Sequence, residues 1–237
     1  MNVFERIKAQ VGEQKDFNLE DAIAENNARR AAAEAQQPEH FRKQFAESKT
    51  KKLLGRSGIL PLHQRCTVDN YEATTQGQVI ARDFARDYIL GFDRNDGQGF
   101  IFGGTKGTGK NHLAASICNA LMLKEKSCLI ITVSELMIKL RSCYGKMATT
   151  TEDKFIQTMV SFDLLILDEI GLQRGTDTEH LIINQIIDQR VCRMKPTGML
   201  TNLEGSQVEE VLGERVFDRM RMNGGAWIEF NWNSYRK

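Results

Sequence analysis

Phe100-Ile101-Phe102-Gly103-Gly104-Thr105-Lys106-Gly107-Thr108-Gly109-Lys110-Asn111-His112 decides how the rest of the chain is read. An aromatic and β-branched run enters a glycine-rich turn. The turn opens into Leu113-Ala114-Ala115-Ser116-Ile117-Cys118, which has a helix-like pattern. Strand, loop and helix follow one another, and Gly104, Gly109 and Lys110 keep the G-x-x-x-x-G-K spacing of a phosphate loop. Glycines let the backbone curl until several N–H groups point inward at phosphate oxygens. The helix N-terminus adds partial positive charge, and the Lys110 ammonium reaches the outer phosphates. Gly104, Thr105, Lys106, Gly107, Thr108, Gly109, Lys110, Asn111 and His112 are therefore the candidate cradle. Where Ser or Thr ordinarily offers a hydroxyl to Mg²⁺, this chain has Asn111, whose amide oxygen is a hard neutral donor.

Downstream, Phe162-Asp163-Leu164-Leu165-Ile166-Leu167-Asp168-Glu169 runs four aliphatics into two adjacent carboxylates. In a parallel sheet this delivers Asp168 and Glu169 to the carboxyl edge, where ligands bind. Asp168 would hold Mg²⁺ and Glu169 would polarise an attacking water, the pattern of a Walker B strand. Thr197-Gly198-Met199-Leu200-Thr201-Asn202 is a further short strand, and Asn202 could hold the lytic water or touch the γ-phosphate. In Leu212-Gly213-Glu214-Arg215-Val216-Phe217-Asp218-Arg219-Met220-Arg221, Arg215 and Arg219 stand four apart on one helix face. Such a row is either a salt-bridged surface or an arginine finger donated to a neighbouring subunit's nucleotide.

Outward from these motifs the chain divides. Residues 1–56 are rich in Ala, Glu, Gln, Lys and Arg and poor in large apolar residues, which predicts a small helical arm that docks on something else. The arm ends in a basic cluster at Lys49, Lys51, Lys52 and Arg56. From Gly58 the chain has an extended entry segment to His63 and an amphipathic helix over Val79–Leu90, with Val79, Ile80, Phe84, Tyr88 and Ile89 on one side. Cys128-Leu129-Ile130-Ile131-Thr132-Val133 reads as a buried parallel strand. A helix capped near Ser134 runs from it towards Tyr144, and Gly145–Asp153 reads as a loop. Leu181–Arg190 is helical and Ala226–Trp232 alternates like a strand. This is an α/β fold, a parallel sheet flanked by helices, occupying residues 57–237 behind the arm.

Composition bounds the function classes. With 41% hydrophobic and 27% charged residues and a net charge of +1, no global field draws the chain to nucleic acid or membrane. The N-terminus has no secretory h-region and no apolar run is long enough to span a bilayer, so the expected place is the cytoplasm. Five scattered cysteines without a C-x-x-C pair argue against a disulfide framework or a zinc knuckle.

Phosphate loop, Asp-Glu strand, Thr-Asn strand and arginine helix, in that order, resemble an AAA+ P-loop ATPase module. Gly58-Ile59-Leu60-Pro61-Leu62-His63, Gly107 to His112, Asp168-Glu169-Ile170-Gly171, Pro196 to Asn202, Gly213 to Val216, Asp218 to Arg221 and Asn231-Trp232-Asn233-Ser234-Tyr235-Arg236 are similar to the DnaC-type bacterial replicative helicase loaders. The resemblance covers about residues 57–237, and the Asn after the loop lysine is a trait of that family. The arm resembles the loader arm only in being helical, polar and basic at its end, which fits a phage- or plasmid-borne relative.

The resemblance implies ATP in the loop from Gly104 to Asn111, Mg²⁺ at Asp168 and Asn111, and water handled by Glu169. It implies Lys110 and Asn202 (sensor I) in the catalytic set, Arg219 as a finger in trans, Arg215 at the subunit boundary and Arg236 as a sensor II-like arginine. It also implies a hexameric replicative helicase as partner, self-association through the ATP site, and single-stranded DNA near Leu136–Tyr144, where Tyr144 could stack on a base. Hydrolysis by the isolated chain would be weak, because the site is completed only in the assembly. Three other readings stay open: a transposition helper AAA+ ATPase remodelling duplex DNA, a P-loop metabolic kinase, and an adaptor that uses ATP as a switch.

Overall fold

The computed structural model describes residues 57–145, 148, 150–171 and 177–235. The expected arm over residues 1–56, with its boundary at 56/57, lies outside the described residues, as does Arg236.

Five parallel strands form one sheet: β1 (Phe100–Gly104), β2 (Cys128–Thr132), β3 (Leu164–Ile170), β4 (Thr197–Thr201) and β5 (Ala226–Phe230), in the order β2-β3-β4-β1-β5. Strand alternation sends Phe100, Phe102, Leu164, Ile166, Leu200 and Phe230 to one face, where they pack with helices α1 (Gln76–Gly91) and α2 (Lys110–Leu123). Ile101, Leu165, Leu167 and Met199 point to the other face. There they meet α3 (Val133–Arg141), α4 (Glu152–Ser161), α5 (Asp177–Cys192), α6 (Gly205–Leu212) and α7 (Glu214–Arg221). Two apolar layers on one sheet is the doubly covered arrangement that parallel strands require.

Several local expectations are corrected. β2, expected as a buried parallel strand, is parallel and mostly buried and stands at the edge of the sheet. Its apolar run is explained by two covered faces: Leu129 and Ile131 enter one layer and Cys128 the other. Its outer edge is closed by the chain itself, since Ile130 N donates to Ser57 O at 2.8 Å. That closeness needs Gly58, at φ +67°, because a Cβ there would lie 2.1 Å from Ile130 O. The segment before His63 is not extended throughout, as Pro61–His63 forms a 3₁₀ turn.

α1 starts earlier than its apolar pattern predicts, because Thr75 and Gln78 close a capping box around its first turn. Its inner face is Ala81, Ala85 and Tyr88, whereas Ile80 is 52% exposed. Small alanines let α1 lie close to α2, and that proximity outweighs the pull of the larger aliphatic. α3 is capped by Thr132, whose Oγ1 accepts Glu135 N at 3.1 Å, not by Ser134. Gly213 separates α6 from α7.

At the amino ends of β3 and β4 a whole guanidinium is buried. Arg190 is 0% exposed. Its Nε donates to Thr197 Oγ1 at 3.0 Å, and its terminal nitrogens donate to the carbonyls of Met159, Val160, Phe162 and Pro196 at 2.6–3.2 Å. The first two of those carbonyls belong to the last turn of α4, where the helix dipole welcomes a cation.

Candidate functional site

The carboxyl ends of β1, β3 and β4 open on a cleft of about 680 Å³. Lys106, Gly107, Gly109, Lys110, Asn111, His112, Asp168, Glu169 and Asn202 all line it. Gly104 and Thr105 belong to the loop but not to the cleft lining, and Thr108 is fully buried, its Oγ1 donating to Thr105 O at 2.7 Å. The loop turns left-handed at Gly104, Gly107 and Gly109. Gly109 is further constrained, since a Cβ there would lie 2.5 Å from the Tyr71 ring.

Lys110, 6% exposed, donates from Nζ to Gly104 O and Thr105 O, both at 2.7 Å, and lies 6.0 Å from the Phe230 ring centroid. Burial pulls its ammonium down to about 8, against a partial counter-pull from Asp168. Burial raises the Asp168 carboxyl above its usual range, opposed by the Glu169 N–H, Asn111 and Lys110. Asn111 Nδ2 donates to Asp168 Oδ2 at 2.7 Å, so the two expected metal ligands meet. A cleft with an ammonium, a glycine-rich loop that enters a helix N-terminus and a carboxylate–amide pair has the donor set for a triphosphate and its magnesium.

Two neighbouring strand residues ordinarily face opposite sides of a sheet. The β3–β4 register shifts between Leu167 and Ile170, and Glu169 adopts φ +60°. The bulge and the left-handed residue bring Asp168 and Glu169 to the same cleft. Thr201 Oγ1 donates to Ile170 O at 2.7 Å and accepts Leu203 N, which fixes the turn that carries Asn202.

His112 reaches the cleft wall with its Nε2 already engaged, donating to Asn70 Oδ1 at 2.8 Å and Thr67 O at 3.1 Å. It ties α2 to the preceding loop. No site role was expected of Leu62, His63, Asn70, Tyr71, Glu72 and Tyr235, which together with Thr201 complete the cleft wall.

Arg215 and Arg219 do not line this cleft. Both pair with Asp188 on α5, Arg215 at 3.0 Å, and Arg215 is 72% exposed. Arg215 faces a second groove of about 760 Å³ that also includes Tyr144 and Leu181. Tyr144 donates its hydroxyl to Glu152, which pushes its own pKa up to about 12. Among the described residues, no helix is long and apolar enough to cross a membrane.

Residues 36–237 match the family model described as IstB-like ATP binding protein. The replicative helicase loader DnaC of Escherichia coli K12 is 47% identical over 188 residues, covering 79% of this chain and 76% of that protein. Among solved structures, the DnaC helicase loader superposes with TM-score 0.64 at 23% identity, covering 72% of this chain and 99% of that one. The replication initiator DnaA bound to AMPPCP and single-stranded DNA gives TM-score 0.61 at 18% identity, over 74% of this chain and 51% of that one. The chain belongs to the IstB-like ATP-binding family, has the AAA+ fold, and is similar in sequence to the DnaC helicase loaders.

Proposed function

We propose that this protein is an ATP-dependent helicase loader, working in the cytoplasm, that delivers a hexameric replicative helicase onto single-stranded DNA. The observation that carries the reading is the 47% identity to DnaC across most of both chains. In this reading residues 1–56 grip the helicase and the ATPase modules assemble side by side.

Within each module, Lys110 and the N–H groups of the loop hold the triphosphate. Asp168 and Asn111 would hold Mg²⁺, which supplies charge neutralisation at the transferred phosphoryl group. Glu169 takes the proton of the attacking water, and Asn202 orients that water. Arg219 of a neighbouring copy stabilises the transition state, with Arg215 at the boundary. Supporting this, both arginines lie away from their own cleft and are gathered by one carboxylate, Asp188. An isolated chain therefore lacks a cation that the reaction needs and hydrolyses ATP slowly. The Leu136–Tyr144 region faces the DNA, and Arg236 acts on the nucleotide as a sensor II-like arginine.

Co-purification of the full chain with the host replicative helicase tests the reading. Capture that depends on residues 1–56 supports it. No capture, with binding to duplex DNA instead, would favour the transposition helper.

A further inference from the structure

We infer that Tyr71, Trp232 and the backbone of Tyr235 form a brace behind the phosphate loop that aims its N–H groups at the nucleotide. The inference rests on the reading of the cleft as an ATP site.

In a trans peptide the carbonyl and the N–H point in opposite directions, and none of the described peptides is cis. Whatever pins a loop carbonyl outward therefore aims the next residue's N–H inward. Thr108 O accepts two hydrogen bonds, from Tyr71 Oη at 3.0 Å and from Trp232 Nε1 at 3.0 Å. Both lone pairs of that oxygen are engaged, which fixes the Thr108–Gly109 peptide and directs the Gly109 N–H towards the cleft that Gly109 lines. One residue earlier, Gly107 O accepts Tyr235 N at 2.9 Å, which fixes the Gly107–Thr108 peptide. At the loop's start, Thr105 N donates to Phe230 O at 2.8 Å.

The brace is itself supported. Tyr71 and Trp232 are 4% and 8% exposed. The Tyr71 ring meets Tyr235 edge-on at 5.9 Å and His112 at 5.5 Å, and Tyr235 Oη donates to Glu72 O. The Trp232 ring packs on Phe230 at 4.8 Å and Phe230 on Phe102 at 5.1 Å, which links the brace to the strand that feeds the loop. Phenylalanine would serve packing alone as well at Tyr71. A hydroxyl and an indole N–H converging on one buried carbonyl is more than packing needs. The three act as positioning residues: Trp232 lies outside the cleft lining, and the Tyr71 hydroxyl is spent on Thr108 O.

The test uses the full chain with Tyr71→Phe, Trp232→Phe and the double variant, measuring ATP and ADP affinity, KM, kcat and thermal stability. Each single variant should weaken nucleotide affinity and raise KM about 3- to 10-fold, the size of one lost hydrogen bond, with kcat within about twofold. The double variant should lose more than the product of the singles, because the donor left in each single variant still restrains the shared oxygen in part. Tyr71→Phe keeps the ring, so a folded, stable Tyr71→Phe protein with unchanged affinity overturns the brace, as does a double variant that binds like the wild type. Wild-type protein that binds no nucleotide would overturn the ATP-site reading and the brace together.

Discussion

Two buried cations stand at opposite ends of the sheet, and their surroundings differ in kind. Arg190, at the amino ends of β3 and β4, spends its donors on five protein oxygens and fits them fully. Lys110, at the carboxyl end of β1, has three donors and rests on two loop carbonyls. Burial lowers both, Arg190 to about 10 and Lys110 to about 8. The arginine's field is saturated by the fold, whereas the lysine's is held by a loop that has a second use for it. Structure sits where polar demand is met, and chemistry where it is left partly open.

Exchanging the two roles by mutation should break the contrast most sharply. Arg190→Met should cost about 3–5 kcal/mol of stability by stranding four carbonyls and a hydroxyl, read by chemical denaturation. Lys110→Ala should leave stability within about 1 kcal/mol of wild type and lower ATPase turnover at least 10²-fold. Equal losses of stability in the two variants would remove the distinction.

Glu169→Gln should lower turnover about 10²-fold or more while ATP still binds, in a single-turnover assay. Loss of binding instead would place Glu169 among the groups that hold the nucleotide.

The pH dependence follows from Lys110, whose folded value of about 8 lies below its ordinary 10.5. Between those values the unfolded chain binds more protons than the folded one. This contribution to stability therefore rises with pH through that window, and the burial cost is fully present below it. A triphosphate favours the charged lysine, so ATP affinity should move the opposite way, falling about tenfold from pH 7 to pH 9. Calorimetry in buffers of different ionisation heat would detect the accompanying proton uptake.

The smallest effect belongs to Asp188→Asn. It should change stability by no more than about 1 kcal/mol, since its partners are partly solvated. It should reduce concentration-dependent ATPase stimulation several-fold by unseating Arg219. Unchanged stimulation would separate Asp188 from the finger.

The sequence was legible where chemistry is contiguous. That Lys106, Gly107, Gly109, Lys110, Asn111, Asp168, Glu169 and Asn202 share one cleft could be expected because each motif lies within a few residues, next to the strand that presents it. Tyr71, Trp232 and Tyr235 were missed as parts of the loop's support because they come from distant stretches of chain and meet only through the sheet. Arg190 was missed for another reason: an arginine on a helix reads as solvent-facing unless the helix end and strand starts that surround it are known. The edge position of β2 was hidden because two covered faces give an interior and an edge strand the same apolar composition.

The left-handed conformation of Glu169 has a consequence for evolution as well as for chemistry. Any side chain at that position bears a backbone cost that glycine would not, of order 1 kcal/mol. A Glu169→Gly protein should therefore melt no lower than Glu169→Ala, and should melt higher if the bulge persists, while neither hydrolyses ATP. Under the proposed role of Glu169, the most stable residue for this site is one that selection for turnover forbids, and a drifted copy that has lost its ATPase is expected to relax here first.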